Sequence, residues 1–401
     1  MNARSSENLL KTIKTIVIVF ALVSVLLFFY QSIRNHNYEN GNDLTTYFKS
    51  SQLFYNGENP FTEGARPYIY PLFLVIVVYP LSLLQSGFFA KAIAASTWSA
   101  ISYFAFFMTI LACLRFLYGT DRIRKVLREQ LFPIALAVLI LHPFLQDEFL
   151  NGQVNLIVLG CVGGFFLMLK ENRQLPASVF LAVAASIKIA PAVCLVYVLF
   201  SGHYRCLLYF PVILLIFILV PPLLINSSSL GYYHHLVSEV YPRLTVHEAE
   251  SGFKSFSLVS TIFSLTGISA GASIKIGLTG FMSALLLTPV YLLYRKLSDL
   301  KNRFGRLTVF SAIVVVIPLV FPMSEPHHLL ILTIPVVVML SYWESLVSAG
   351  RSLLTDRISL LFISAVIFLQ VGHAFKDTPL RLMGLLGIYF GLLLVLRDRS
   401  D

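Results

Sequence analysis

The sequence predicts an all-α, polytopic integral membrane protein, and three observations carry the prediction. Hydrophobic residues make up 57% of the chain and charged residues only 12%, where an ordinary soluble domain carries about 25% charged. The mean hydropathy is +0.78. The apolar residues also gather into runs close to the length of about 20 residues that one membrane helix needs. These runs fill most of 401 residues, so a single membrane-embedded domain over 1–401 is expected, with about 10–13 transmembrane helices, some re-entrant or broken.

The first run, Thr15 to Tyr30, follows Arg4, Lys11 and Lys14 and exits into Phe28-Phe29-Tyr30-Gln31 with no small-residue cleavage site. It reads as a span with its amino end in the cytoplasm rather than a signal peptide. Residues 31–67 then form a first extracytoplasmic loop holding Asn42-Asp43, Tyr47, Glu58-Asn59-Pro60 and Arg66. A polar stretch of that length in so apolar a chain is expected to be functional.

Apolar segments follow at 68–86, 88–117, 131–146, 153–170, 176–200, 206–225, 273–294, 307–323, 328–346, 357–374 and 379–396. The second half obeys the positive-inside rule: Arg295, Lys296, Lys301, Arg303 and Arg306 make one inner loop, Arg351 and Arg357 another, and Arg397 and Arg399 an inner tail. Strict alternation in the first half would put Arg122, Arg124, Lys125, Arg128, Lys170 and Arg173 outside. Two changes remove the conflict. The 68–86 segment, broken by Pro71 and Pro80, becomes an interfacial or re-entrant piece, and 176–200 becomes a hairpin turning at Lys188 to Pro191. Both basic loops then lie inside, while 147–153 and the long 226–256 loop lie outside.

The net charge of +10 follows from these flanking basic residues, so membrane topology accounts for it and nucleic-acid binding is not expected. Cys113, Cys161, Cys194 and Cys206 sit in or beside apolar segments without metal-ligand spacing and read as small core residues. Neither a metal nor any other cofactor is expected.

On the outer side this topology collects Asp43, Glu148, Gln153, Asn155, Lys188, the 226–256 loop with His234, His235, Arg243, His247, Glu248, Glu250 and Lys254, and Glu325 with His327 and His328. Such a set suits group transfer from a lipid phosphate. A sugar leaving a polyprenyl phosphate needs cations and donors around the departing anion, while the attacking hydroxyl needs a carboxylate to take its proton. Each residue also has a plainer role open to it. Asp43 could cap a helix over 44–53, Gln153 and Asn155 could bond helix to helix, Lys188 could snorkel to the interface, and the His pair could cap a helix. Tyr68 and Tyr70 lie close to the proposed site, whereas Trp98, Trp343, Tyr232 and Tyr233 fit a membrane-interface belt.

Several pieces, taken in order, resemble the polyprenol-phosphate-dependent GT-C glycosyltransferases, most closely glycosyltransferase family 87, which is bacterial and mannosyltransferase-like. They are Asp43, Gly57-Glu58-Asn59-Pro60-Phe61, Tyr68-Ile69-Tyr70-Pro71-Leu72, Gly152-Gln153-Val154-Asn155-Leu156, Ser186-Ile187-Lys188-Ile189-Ala190-Pro191 and Ser324-Glu325-Pro326-His327-His328. The resemblance implies a GT-C fold and an inverting transferase of the cell (inner) membrane with its site on the extracytoplasmic face. It would take a sugar, typically mannose, from a polyprenyl phosphate and pass it to a lipid-linked or glycan acceptor. It implies Asp43 as base and His327 or His328 as a second catalytic group. Tyr68, Tyr70, Gln153, Asn155, Lys188 and Lys254 are expected to bind substrate. The chain departs from the family pattern at Leu72, at Pro191, at Pro326 and at Lys254-Ser255-Phe256-Ser257, the last where an acceptor would enter. The rival expectation is a transporter or flippase of lipid-linked sugars, for which many spans are also apt.

Overall fold

A computed structural model describes residues 3–37, 42–62, 68–119, 131–240, 256–266, 271–296, 303–321, 324–375 and 378–398. Arg66, Lys254, the basic run at 122–128 and Arg243, His247, Glu248 and Glu250 lie outside the described residues. The described chain is helical, with no strand.

The helices are α1 (Ala3–Asn37), α2 (Asp43–Tyr55), α3 (Phe73–Ser82), α4 (Phe88–Tyr118), α5 (Leu131–Ile140), α6 (His142–Asn151), α7 (Asn155–Lys170) and α8 (Gln174–Ile187). A 3₁₀ turn (Ala190–Cys194) leads to α9 (Leu195–Ser201), α10 (Tyr204–Ile225) and α11 (Ser229–His235), which runs into a π turn (Leu236–Val240). The chain continues through α12 (Leu258–Thr266), α13 (Ala272–Lys296) and α14 (Arg303–Val320) to a second 3₁₀ turn (Pro326–Leu332), then α15 (Thr333–Ser348), α16 (Arg357–Ala374) and α17 (Leu380–Arg397).

Among the described residues eight helices are long and apolar enough to cross a membrane, or nine if α5 and α6 form one span bent by 66°. Four shorter apolar pieces lie between them: α3, α7, α8 and the turn with α9. The protein is therefore a multi-pass membrane protein. Spans α10 and α13 bury only 11% of their best windows, whereas α14 buries 83%. Their apolar outer faces are suited to lipid contact, and α14 fills the centre.

Much of the expected 31–67 loop is helix. Residues 31–37 complete α1, and Leu44, Tyr47, Phe48, Ser51 and Phe54 recur at helical spacing and are buried along α2. The Asn42 side chain caps α2, accepting from the Thr45 amide at 3.0 Å and its hydroxyl at 2.8 Å. Asp43 follows the cap as the first helical residue. Helix α2 then bonds to α3 through Ser51 Oγ to the Val75 carbonyl and Gln52 Nε2 to the Ser82 carbonyl, each at 2.5 Å.

The α5–α6 bend falls at Leu141, just before Pro143 in the first turn of α6. Helix α6 closes on Gly152, whose φ of +63° is the left-handed conformation that glycine adopts without a Cβ penalty. Helix α7 lies close against α4, since a Cβ on Gly160 would sit 2.8 Å from the Ala105 Cβ. Small residues permit this approach where lipid supplies no hydrophobic drive between helices. Helix α8 stops at Lys188, which is extended at φ −136°, ψ 129°. The chain then turns through Pro191 and returns along α9, so that Ser178 Oγ reaches Cys206 Sγ at 3.0 Å.

One end of the bundle collects charged groups. Arg115 pairs with Glu171 at 2.8 Å, Lys170 donates to the Arg115 carbonyl at 3.2 Å, Tyr118 donates to Glu344 at 2.8 Å, and the Arg303 guanidinium lies against Gly119. Asp43, the 152–155 turn, Lys188 and the 325–328 turn lie away from that end. The polypeptide flanking the 120–130 run and the 170–174 loop thus shares an end with Arg303, as the rearranged topology requires.

Candidate active site

The site is built where chain direction changes: the start of α2, the α6–α7 turn, the break after α8 and the 3₁₀ turn before α15. The Gln153 side chain is fixed at both ends. Its Nε2 donates to Asp43 Oδ2, and its Oε1 accepts from the Tyr47 hydroxyl at 3.3 Å. The backbone beside it is held by Trp98, whose indole Nε1–H reaches the carbonyls of Gly152 at 3.1 Å and Gln153 at 3.2 Å. Trp98 was expected in an interface belt. It is instead only 4% exposed, because its one polar atom has buried carbonyls to satisfy. It lies about 15 Å along α4 from Phe88 at 1.5 Å per residue, well below that helix end.

Asn155 joins two charges. Its Nδ2 donates to Glu148 Oε2 at 2.8 Å and its Oδ1 accepts from Lys188 Nζ at 2.7 Å. Glu148 Oε1 also accepts from the Leu156 amide at 3.0 Å, satisfying an otherwise orphaned donor at the start of α7. Lys188 Nζ lies 5.1 Å from the centre of the Tyr70 ring and 3.1 Å from His328 Nε2. Glu148, Glu325 and Asp43 all act electrostatically on Lys188.

The tyrosines differ in use. Tyr68 donates its hydroxyl to the Pro71 carbonyl at 2.8 Å and holds its own turn, while Tyr70 is the ring over Lys188. Burial first, and the Asp43 carboxylate second, push the Tyr70 hydroxyl well above its ordinary range. Burial, with Tyr70 and then Asp43 adding to it, does the same to Tyr47. Both phenols are therefore held neutral, as hydrogen-bond donors. Tyr232 and Tyr233, also expected in a belt, tie α11 to the site's outer wall through Tyr232 to the Gly57 carbonyl at 2.6 Å and the Leu72 amide to Tyr233 at 3.1 Å.

The two histidines point different ways. The Glu325 amide donates to His328 Nδ1 at 3.0 Å, and the Glu325 side chain accepts from the His328 amide in a capping box. With Nδ1 accepting, a neutral His328 carries its proton on Nε2, directed at Lys188. His327 is 4% exposed and turns to Asp147. Sequence reasoning assigned nothing to Asp147 or Arg381. Arg381 is a lone charge inside the last apolar run, and an intramembrane ionisable residue is a signal that could have singled it out. Among the described residues no group of three or more His, Cys, Asp or Glu is placed to hold a metal ion.

The sequence model of glycosyltransferase family 87 matches residues 68–322. The chain belongs to glycosyltransferase family 87. It is therefore a membrane glycosyltransferase. The family 87 match contains Tyr68, Tyr70, Gln153, Asn155 and Lys188, and it excludes Asp43 and the His327-His328 pair. No curated protein matches the chain. Two solved structures are similar to this family member: ArnT from Cupriavidus metallidurans in the apo state and the same protein bound to undecaprenyl phosphate. Each is 14% identical, with TM-scores of 0.42 and 0.44; 96% of this chain is covered in both cases, and 76% and 77% of the ArnT chains.

Proposed function

We propose that this family 87 member transfers a sugar, mannose, from a polyprenyl phosphate to a hydroxyl of a lipid-linked or glycan acceptor, with inversion. The reaction takes place on the extracytoplasmic side of the inner membrane, opposite the basic end of the bundle. The observation that carries the reading is the approach of Lys188 Nζ to His328 Nε2 at 3.1 Å. An ammonium and an imidazole N–H facing each other are two donors, and an anion shared between them turns that repulsion into two charge-assisted hydrogen bonds. A departing phosphate ester is such an anion.

Asp43 Oδ2 accepts from Gln153, and the carboxylate takes the acceptor proton. The acceptor oxygen bonds to the anomeric carbon as the bond from that carbon to the phosphate oxygen breaks. The electron pair goes to the phosphate, where Lys188 and His328 stabilise it. Asn155 holds Lys188, Tyr70 lies beneath the ammonium, and Gln153 aims Asp43. No metal or other cofactor takes part. The 226–256 segment, which includes α11 and its π turn and carries Lys254, is assigned to acceptor entry, and one domain over 1–401 holds the whole site.

The test supplies the full-length protein in lipid nanodiscs with undecaprenyl-phosphate mannose, labelled in the sugar, and an envelope lipid extract as acceptor pool. Label appearing in a new glycosidic product, with release of undecaprenyl phosphate, is expected. Transfer from sugar nucleotides but from no polyprenyl-phosphate sugar contradicts the reading.

A further inference from the structure

The reaction above leaves a buried acid, Glu148, without a task. It is 1% exposed and follows an acid on α6 that is engaged elsewhere: Asp147 meets His327 Nδ1 at 2.9 Å, and Arg381 acts on it electrostatically. Successive helical residues point about 100° apart, and Glu148 turns instead to α7, where both of its oxygens accept. Oε1 takes the Leu156 amide at 3.0 Å and Oε2 takes Asn155 Nδ2 at 2.8 Å. The Asn155 amide is thereby oriented with its Oδ1 toward Lys188 Nζ, 2.7 Å away.

Capping α7 accounts for one of these bonds. Val154, at the N-cap, has no side chain that can accept, and Glu148 Oε1 supplies the acceptor from the preceding helix. Capping does not account for the second bond. A carboxamide at position 148 could serve the Leu156 amide equally well through its one oxygen, but its NH2 would then face Asn155. Asn155 would have to turn its own oxygen back to position 148, and its NH2 would meet the Lys188 ammonium, donor against donor. The alternation of donors and acceptors from Leu156 through positions 148 and 155 to Lys188 closes only when both terminal atoms of residue 148 accept.

We infer that Glu148 is a positioning residue for the leaving-group cation: through Asn155 it fixes where the Lys188 ammonium sits between the Tyr70 ring and His328. It touches no substrate. A lysine carries its charge on a flexible four-carbon stem, so the ammonium stays in place only when something holds it. Charge favours the same arrangement, since Glu148 acts electrostatically on Lys188. The pattern also permits an exchange. When Glu148→Gln is combined with Asn155→Asp, the amide oxygen at position 148 serves Leu156 and its NH2 donates to the carboxylate at position 155, whose second oxygen accepts from Lys188. The catalytic consequence rests on the function proposed above, whereas the orientation of Asn155 and Lys188 does not.

The experiment uses the full-length protein in nanodiscs, labelled with ¹³C and ¹⁵N. Solid-state NMR reads the through-space contact between Lys188 Nζ and the side-chain carbonyl carbon of residue 155, assigned by difference from Lys188→Met. Wild type is expected to show this contact and a second one from Asn155 Nδ2 to the Glu148 carboxyl carbon. Glu148→Gln is expected to lose the Lys188 contact and to lower kcat/KM for undecaprenyl-phosphate mannose tenfold or more. Adding Asn155→Asp to it is expected to restore the contact and recover most of the loss. A capping role alone predicts no change for Glu148→Gln and no gain from the exchange. Wild type without the contact from Glu148 to Asn155 overturns the inference, and this reading needs no variant to fold. So does Glu148→Gln with wild-type contact and kinetics, or a folded double variant no better than the single one. If Glu148→Gln breaks the Lys188 contact while wild type transfers nothing from this donor, the proposed reaction fails and the positioning of Lys188 by Glu148 stands.

Discussion

Gln153 donates from Nε2 to Asp43 Oδ2 across 110 residues of chain, and its Oε1 accepts from Tyr47. An amide held at both ends cannot flip without losing both bonds. The carboxylate of Asp43, the proposed base, is thereby held in one direction. The same residue's carbonyl is held by Trp98, so the proposed base is supported through Gln153 by a side chain on another span.

Trp98→Phe keeps the ring and removes the N–H. Two buried carbonyls then lose a donor, a loss of about 1–3 kcal/mol in stability for a buried group left unsatisfied. Thermal unfolding in detergent should show this as a lowered Tm, and transfer activity should fall further than the lowered Tm explains, because Gln153 is released as well.

Gly152→Ala meets two penalties. At φ +63° an alanine is disfavoured by about 1–2 kcal/mol, and its Cβ would fall 2.5 Å from the Leu44 Cβ. Leu44 follows Asp43 directly, so relief of the clash moves the proposed base. Activity is expected to be abolished in protein that still reaches the membrane, measured by transfer per milligram of folded protein.

The α2 helix and Gly152 also show how far the sequence could be read. The all-helical, multi-span character with broken segments, the hairpin at Lys188 and the gathering of Asp43, Gln153, Asn155, Lys188 and His328 were legible, because hydropathy and charge bias constrain a membrane chain strongly; against an expected 10–13 transmembrane helices, eight or nine among the described residues are long enough to span. The helical nature of 43–55 was less so. Its apolar positions are diluted by Thr45, Thr46, Lys49 and Gln52, and only its packing on α3 reveals the pattern. Asp147 and Arg381 were missed because their significance is relational, resting on which charges the folded helices bring beside His327.

Lys188→Met removes the ammonium and leaves Asn155 Oδ1 and the Tyr70 face without a cation. A hydrogen bond to a charged group contributes about 1.5–3 kcal/mol, so kcat/KM for the polyprenyl-phosphate donor should fall roughly 10- to 150-fold. Lys188→Arg is expected to recover only part of this, since the planar guanidinium does not reproduce a compact point charge. Steady-state kinetics with the donor varied checks both.

Tyr47 and Tyr70 set an alkaline limit. Their hydroxyls are raised above the ordinary phenol range chiefly by burial, so the unfolded chain loses these protons first as pH rises. Their contribution is fully present below about pH 10 and declines above it, at about 1.4 kcal/mol per pH unit for each group until the folded form ionises too. Stability from thermal unfolding should therefore fall steeply above pH 10, and Tyr70→Phe should lessen the slope.

The most direct measurement is single-turnover transfer from undecaprenyl-phosphate mannose by Asp43→Asn beside wild type, both in nanodiscs, with circular dichroism confirming equal folding. Asparagine keeps the shape and can still bond to Gln153, but it cannot take a proton. A positioned base contributes about 10²–10⁴-fold, so a loss of that size in the chemical step with donor binding retained is the predicted result. Transfer by Asp43→Asn at the wild-type rate would contradict the account.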